Sequence, residues 1–204
     1  RQYSAAVGAD QSGLGEHTTG EVHVKSLLQE AKALSAELIS HRRYLHRHAE
    51  VGHELSVTTA YVRARLIDMG YEPHACTPCG LVAIAGGQAP GKTFLLRADM
   101  DALPITEEGD LEYGSETPYM HACGHDLHTA MLLGAARLLK MHEGEIQGQV
   151  KLMFQPAEES LGGAQGMLEA GLLENPAVDA AMMIHVAAGM PMPREPSPSR
   201  EAGW

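Results

Sequence analysis

The sequence predicts an α/β fold in which a layered, mostly parallel sheet is flanked by helices. Short apolar runs that are typical of strands alternate along the chain with longer segments of helical periodicity. A glycine pair follows the run at 81–85, and a Gln-Pro step follows the run at 149–154, as expected where the chain turns. Such alternation is typical of sheets built from strand–helix–strand units. The chain has 204 residues, 44% of them hydrophobic, which is enough for one substantial core.

The predicted elements follow one another without an internal repeat. Residues 1–22 are polar and aperiodic, and we predict that they are disordered. Helical spacing of apolar residues predicts a first helix from Val24 to about His48. A second helix is expected to begin with Ser56 as its N-cap and to stop at Gly70. The remaining predicted elements are strands at 81–85, 93–96 and 149–154, a helix to about 141, a short helix at 164–169 and a strand at 177–184.

A cluster of potential metal ligands lies in the segment His121–His128. It contains a thiol, three imidazoles and a carboxylate, and an apolar helical pattern follows it. Cys123 and His125 are separated only by Gly124, so both side chains can face one point. Thiolate and neutral imidazole are ligands for zinc and neighbouring transition metals. The alternative at this point is a helix start that Asp126 caps, with the histidines in solvent.

Further potential ligands come just after three of the predicted strands. They are Asp99 and Asp101, Glu158 and Glu159, and His185. In open α/β sheets, sites form at the edge where the carboxyl ends of the strands meet, so we expect these side chains to lie close together. The helix that follows the Cys-His cluster is expected to start at the same edge. This placement favours a metal site over a solvated acidic surface.

Four ordered motifs resemble one family of enzymes. They are LLRADMDALP at 95–104, MHACGHD at 120–126, FQPAEE at 154–159 and IHV at 184–186. Together they resemble the M20 metallopeptidase and amidohydrolase family, and specifically its branch of hippurate hydrolases, N-acyl-amino-acid amidohydrolases and auxin-conjugate hydrolases. The resemblance covers about residues 38–193. It implies a partial zinc-peptidase-like catalytic domain at 23–193, followed by an irregular tail at 194–204.

The resemblance also implies roles for particular residues. Four side chains are implied as ligands of a divalent transition metal, usually two ions of Mn, Zn, Co or Ni: Cys123, His125, Glu159 and His185. Glu158 is implied as the general base, and Asp101 as a catalytic supporting residue. The implied reaction is hydrolysis of the amide bond of an N-acyl amino acid or short peptide. Metal-bound water is the nucleophile, since a metal lowers its pKa to about 7, and Glu158 takes its proton.

Members of this family are longer than the chain. After the segment that corresponds to His185, they carry a lid or dimerisation domain and then a further histidine ligand. The resemblance implies that both are absent here, and that longer relatives dimerise through the missing domain. A non-catalytic metal-binding remnant is therefore the alternative to an active hydrolase.

Charge and composition argue against several other functions. The formal net charge is −11 at pH 7, and no basic stripe is present, which argues against nucleic acid or an anionic membrane as a partner. No apolar run approaches the length of a transmembrane helix, and the N-terminus has no signal-peptide core. Three cysteines do not make a disulfide framework. We therefore expect a cytoplasmic protein.

A second, weaker metal pattern lies upstream. His48 and Glu50 followed by Cys76 and Cys79 imitate the H-x-E…P-C-x-x-C signature of zinc deaminases, but Ala75 stands where that signature has proline. A redox cysteine pair should open a helix, and this pair precedes a strand. We predict a loop with two free thiols. The histidines around the end of the first helix are also expected not to bind metal, since residues two apart point to different faces: His41, His46, His48 and His53.

Overall fold

The computed structural model of the chain describes residues 26–187. The helices within this range are α1 (Ser35–Arg47), α2 (Ser56–Asp68), α3 (His125–Met141) and α4 (Gly163–Glu169). The strands are β1 (His74–Ala75), β2 (Leu81–Gly86), β3 (Thr93–Asp99), β4 (Gln149–Gln155) and β5 (Ala180–Met183). Residues 26–33 are also helical, and a turn at Leu34 separates them from α1. The predicted disordered segment at 1–22 and the tail at 194–204 lie outside the described residues.

The strands form one mixed sheet in the order β1–β2–β4–β3–β5. β3 pairs in parallel with both β4 and β5. β2 pairs antiparallel with both β1 and β4. The predicted α/β fold with flanking helices is thus confirmed, and its parallel part comprises the three strands that precede the predicted ligands. β2 runs the other way because only residues 87–92 join it to β3, whereas parallel strands need a crossover of a dozen or more residues.

The sheet separates two hydrophobic clusters. Leu152 and Phe154 of β4 face a large cluster that α2 and α3 cover, and Leu133 of α3 is fully buried in it. Met153, between them in sequence, faces the opposite side and packs with Met167 of α4. This alternation is the period of two that a strand buried on both faces requires. The result is a three-layer arrangement, in which the sheet lies between α2 and α3 on one face and α4 on the other.

The start of α2 differs from the prediction. Ser56 is the first residue of the helix and provides no side-chain cap. The carboxylate of Glu50 instead accepts hydrogen bonds from the backbone N–H groups of Val57, at 3.1 Å, and Thr58, at 2.8 Å. An anionic group at this position also suits the positive end of the helix dipole. The capping residue lies in the loop after α1, so the sequence next to the helix did not predict it.

The ends of β3 and β4 lie side by side at one edge of the sheet. Asp99, the last residue of β3, is the register partner of Gln155, the last residue of β4. One further backbone hydrogen bond, from Met100 N to the Gln155 carbonyl oxygen at 2.9 Å, keeps the two chains together as they leave the sheet. The residues that follow the two strands therefore emerge at the same place.

None of the helices within residues 26–187 is long and apolar enough to cross a membrane.

Candidate metal centre

Three overlapping groups of metal-type side chains meet at the carboxyl edge of the parallel strands. Within each group the potential ligand atoms all lie within 4.8 Å of one another, and His125 belongs to every group. The groups are Cys123, His125 and His185; His125, Glu158 and Glu159; and Asp99, His125 and His128. The fold therefore brings the four predicted ligands and the predicted general base together around His125.

His125 presents one ring nitrogen to this point. Its Nδ1 lies 2.7 Å from the Asp101 carbonyl oxygen, so Nδ1 carries the proton and donates it. Its Nε2 is buried and has no hydrogen-bond partner within residues 26–187. That atom lies 3.8 Å from an oxygen of Glu158 and 3.8 Å from an oxygen of Glu159. A buried lone pair that faces two carboxylates is suited to a cation, because buried polar atoms otherwise find a partner.

Cys123 and His185 complete the point from the other side. The Cys123 Sγ lies 3.4 Å from Nε2 of His185, whose Nδ1 donates to the Val186 carbonyl oxygen at 2.6 Å. Both histidines thus use Nδ1 for a backbone carbonyl and keep Nε2 for the centre, the arrangement typical of metal-binding imidazoles. Burial and the neighbouring Glu159 raise the pKa of the Cys123 thiol to about 11. A bound cation would offset this, because thiols deprotonate when they ligate metal.

Asp101 fixes the turn that carries the two glutamates. Its buried carboxylate accepts the backbone N–H of Glu158 at 3.0 Å and that of Glu159 at 3.1 Å. Glu159 directs a buried Oε1 into the centre, and this atom has no hydrogen-bond partner in the described part of the chain. The Glu158 side chain is more open, at 37% exposure against 24% for Glu159. The two neighbouring carboxylates therefore occupy different environments.

The electrostatics of the centre are dominated by carboxylates. Burial opposes a charge on His125, but hydrogen bonding to Asp101 and the charge of Asp99 outweigh it and raise the pKa of His125. Arg97 is the counter-ion of Asp99, with its Nη1 2.7 Å from Oδ2 of that carboxylate. The other carboxylates of the centre give the pocket a negative charge, which attracts cations.

The family resemblance gave no role to two residues of the centre, Asp99 and His128. Asp99 ends β3, and its Oδ1 lies 2.6 Å from Nδ1 of His128, a buried residue one turn after His125 on α3. The spacing of three residues between His125 and His128 could have indicated that His128 also faces the centre, since it places both histidines on the same face of α3.

The alternative of a solvent-exposed helix start is contradicted. Gly124 is the N-cap of α3, with a left-handed φ of 87°. A Cβ at this position would lie 2.5 Å from Cγ2 of Val186, so the turn requires glycine. Asp126 is buried, and so are the three histidines of the segment: His121, His125 and His128.

The deaminase pattern is contradicted as well. Within residues 26–187, none of the groups of metal-type side chains includes His48, Cys76 or Cys79. Glu50 caps α2, and the two cysteines are free thiols in a loop, as predicted.

Comparison with known proteins identifies the family. Residues 95–196 match the sequence profile of peptidase family M20/M25/M40, and this match covers half of the chain. The chain belongs to the M20 peptidase family. The matched range includes the residues that form the centre, from Arg97 to His185.

Several M20 relatives are considerably longer. IAA-amino acid hydrolase ILR1-like 4 of Arabidopsis thaliana is 51% identical over 154 residues, which are 73% of this chain and 34% of that protein. The N-acyl-L-amino acid amidohydrolase of Geobacillus stearothermophilus is 40% identical over 166 residues, or 80% and 44% of the two chains. The chain therefore spans less than half the length of these relatives.

Solved M20 structures share the fold. The Bacillus subtilis YXEP protein, described as a dinuclear metal binding peptidase from the M20 family, superposes with a TM-score of 0.74 at 39% identity. The superposition covers 78% of this chain and 45% of that one. Together with the three groups of ligand-type side chains, this similarity supports the binding of divalent metal by the M20 chain.

A buried charge network supports the M20 centre from behind. Asp126 accepts hydrogen bonds from Arg42 Nε and His46 Nδ1, each at 2.8 Å. The other nitrogen of His46 lies 3.0 Å from Oε1 of Glu107. The network ties α1 to the start of α3 and to the loop before it. His46 is buried, and both of its ring nitrogens face carboxylates of this network.

This network predicts a pH-dependent stability. The hydrogen bond to Asp126 raises the pKa of His46 above its ordinary value of 6.5. A raised pKa in the folded state stabilises the fold fully below pH 6.5, and the stabilisation is lost as the pH rises through the folded value. We expect His46→Gln to lower the free energy of unfolding by about 3 kcal/mol at mildly acidic pH. The difference in the free energy of unfolding between His46→Gln and the parent should shrink as the pH rises. Urea denaturation with a chelator present measures both, with exposed His74→Gln as the control.

Proposed function

We propose that this chain supplies the metal-binding part of an amidohydrolase that cleaves the amide bond of N-acyl amino acids or short peptides. The observation that carries the proposal is the buried Nε2 of His125. It has no hydrogen-bond partner within residues 26–187 and faces two glutamates beside Cys123 and His185. The relationship to N-acyl-amino-acid and IAA-amino-acid hydrolases supports the substrate class.

The donor set fits a transition metal. Thiolate, imidazole and carboxylate together favour Zn, Mn, Co or Ni over Mg or Ca, and the number of acidic groups suits two divalent ions. The residues that would hold the metal are the four predicted ligands: Cys123, His125, Glu159 and His185. When bound, the metal supplies Lewis acidity toward water and toward the substrate carbonyl oxygen.

Glu158 would move the protons of the reaction. A general base must stay free to accept a proton from the attacking water and to pass it to the leaving amine. The Glu158 carboxylate is partly open to solvent and lies 3.8 Å from Nε2 of His125, so it borders the centre without being buried in it. Asp101 would hold the Glu158–Glu159 turn in place through the two backbone hydrogen bonds that it accepts. Its supporting role is thus one of positioning.

We also propose a reducing, cytoplasmic setting and a small-molecule substrate. The cysteines of the described range are free, namely Cys76, Cys79 and Cys123, and free thiols are usual in reducing compartments. Longer relatives would dimerise through a domain that lies outside the region matched by this chain. The second candidate function is non-catalytic metal binding by the same group of side chains.

A chimera tests the activity. Residues 1–193 would be joined to the remaining C-terminal part of the Geobacillus amidohydrolase and loaded with Mn, Zn, Co or Ni. We expect hydrolysis of at least one class in a panel of N-acetyl, N-benzoyl and indole-acyl amino acids, and its loss in the His185→Ala chimera. Hydrolysis of an unrelated ester alone would indicate another class of hydrolase. Metal binding without any turnover would favour the remnant.

A further inference from the structure

The segment that delivers His185 is weakly supported by its own strand. All four residues of β5 are exposed, and within the described range β5 pairs only with β3. The following Ile184 is exposed too. An edge strand with little burial opens locally at low cost in free energy. The position of the His185 ring therefore depends on contacts made after the strand has ended.

The next residue, Val186, makes those contacts. Its backbone N–H donates to Nε2 of His128 at 2.9 Å, and its side chain packs against Gly124. The rings of His128 and His185 also meet edge to face, with their centroids 4.5 Å apart. His128 is therefore the polar group of α3 that holds the His185 segment against the metal centre.

These contacts engage both ring nitrogens of His128. Because Nε2 accepts the N–H of Val186, the single ring proton is on Nδ1, which donates to Oδ1 of Asp99 at 2.6 Å. Both nitrogens of His128 are thus engaged, and neither has a free lone pair for a metal. Although it belongs to one of the groups of metal-type side chains, its bonds give it a different task from His125 and His185.

The far side of this connection is anchored in the sheet. Arg97 contacts Oδ2 of Asp99 at 2.7 Å and donates from Nε to Oε1 of Gln155 at 2.8 Å. Thr129 donates its hydroxyl to the Asp99 carbonyl oxygen at 2.9 Å. Asp99 is fully buried, so it cannot follow a displaced imidazole. The orientation of the His128 ring is therefore set by β3 and β4.

We propose that His128 is a positioning residue that fixes the metal ligand His185 through the backbone N–H of Val186, and thereby sets the metal affinity of the centre. The inference rests on the proposed function, in which His185 binds metal. Residues that hold a metal ligand in place typically contribute a factor of about 10 to 100 to metal affinity.

Cobalt titration of the 204-residue chain tests the inference without any need for turnover. Co²⁺ reports its ligands by absorption, including a thiolate charge-transfer band from Cys123. In His128→Asn the amide can still donate to Asp99 but cannot reach Val186. In His128→Gln the amide oxygen can reach the position of Nε2 and accept the Val186 N–H. We expect His128→Asn to raise the dissociation constant for Co²⁺ by about 10- to 100-fold, and His128→Gln to raise it less.

A double variant separates positioning from general stability. If His128 acts through His185, then His128→Asn should add no further loss of affinity in a His185→Ala background. His41→Asn is the matched control: it changes another buried histidine, bonded to Tyr61 on α2, and should leave Co²⁺ affinity unchanged. His128→Leu, which keeps the bulk of the ring without its polar atoms, serves if His128→Asn does not fold.

The possible failures are distinct. If the parent and Cys123→Ala bind Co²⁺ equally and neither shows the thiolate band, the proposed metal site is wrong. If the parent shows the band but His128→Asn and His128→Leu bind Co²⁺ as tightly, the positioning role is wrong. Additive losses in the double variant would also overturn it.

Discussion

Glu158→Gln is expected to lower the turnover of an N-acyl amino acid by about a hundred-fold or more while the metal content stays unchanged. Glutamine preserves the shape of the side chain but cannot accept a proton. The Glu158 carboxylate is the more exposed of the pair, so it has room for substrate and water beside it. The measurement is kcat and bound metal per chain in the chimera. Glu169→Gln, on the exposed face of α4, is the control.

The neighbouring substitution should fail in a different way. Glu159→Gln removes the carboxylate whose buried Oε1 points at the centre, so metal content should fall first, and activity should return in part when metal is added in excess. Adjacent side chains diverge, which is why only one of the two carboxylates can enter the cluster. Loss of metal in Glu158→Gln together with its retention in Glu159→Gln would mean that the roles are reversed. No change in either variant would remove both residues from the site.

Gly163→Ala is expected to lower the free energy of unfolding by about 3 kcal/mol. A Cβ at Gly163 would lie 1.5 Å from the carbonyl oxygen of Pro156, so α4 or the turn beneath it must move. That turn is already constrained, because buried Ala157 has a positive φ of 52° and its carbonyl oxygen accepts the Gly163 N–H at 3.1 Å. The displaced turn carries Glu158 and Glu159, so metal affinity should fall as well.

Gly166→Ala provides the matched control within the same helix. A Cβ there would meet Cγ2 of Thr77 at 3.8 Å, which is an ordinary contact. Alanine in a helix interior is more favourable than glycine, so the free energy of unfolding should rise by about 0.5 kcal/mol. Urea denaturation of both variants tests the contrast in sign. Equal stability of Gly163→Ala and the parent would contradict the close packing of α4 against the Pro156 turn.

Local pattern was sufficient for most elements of the fold. The apolar run of β2 and the helical period of α3 are short-range signals, and both elements appear where the sequence predicts them. The strand order of the mixed sheet was harder to predict from the sequence. The short connection at 87–92 could have indicated that β2 runs opposite to β3, but insertion of β4 between them depends on residues far along the chain. The N-cap of α2 was predicted wrongly for a similar reason, because Glu50 lies outside the helix and reaches it only through the loop.

The sequence by itself determined the family and the chemistry offered at the centre, because thiolate, imidazole and carboxylate side chains follow strand ends that a parallel sheet brings to one edge. Only the tertiary structure decided what each histidine does. His125 and His128 lie one helical turn apart and look alike in sequence, yet one keeps a buried nitrogen without a partner within residues 26–187 and the other has both nitrogens engaged. The physical reason is that a ring nitrogen takes its role from the atom opposite it. For His128 those atoms belong to Asp99 and Val186, which only the folded chain places beside it.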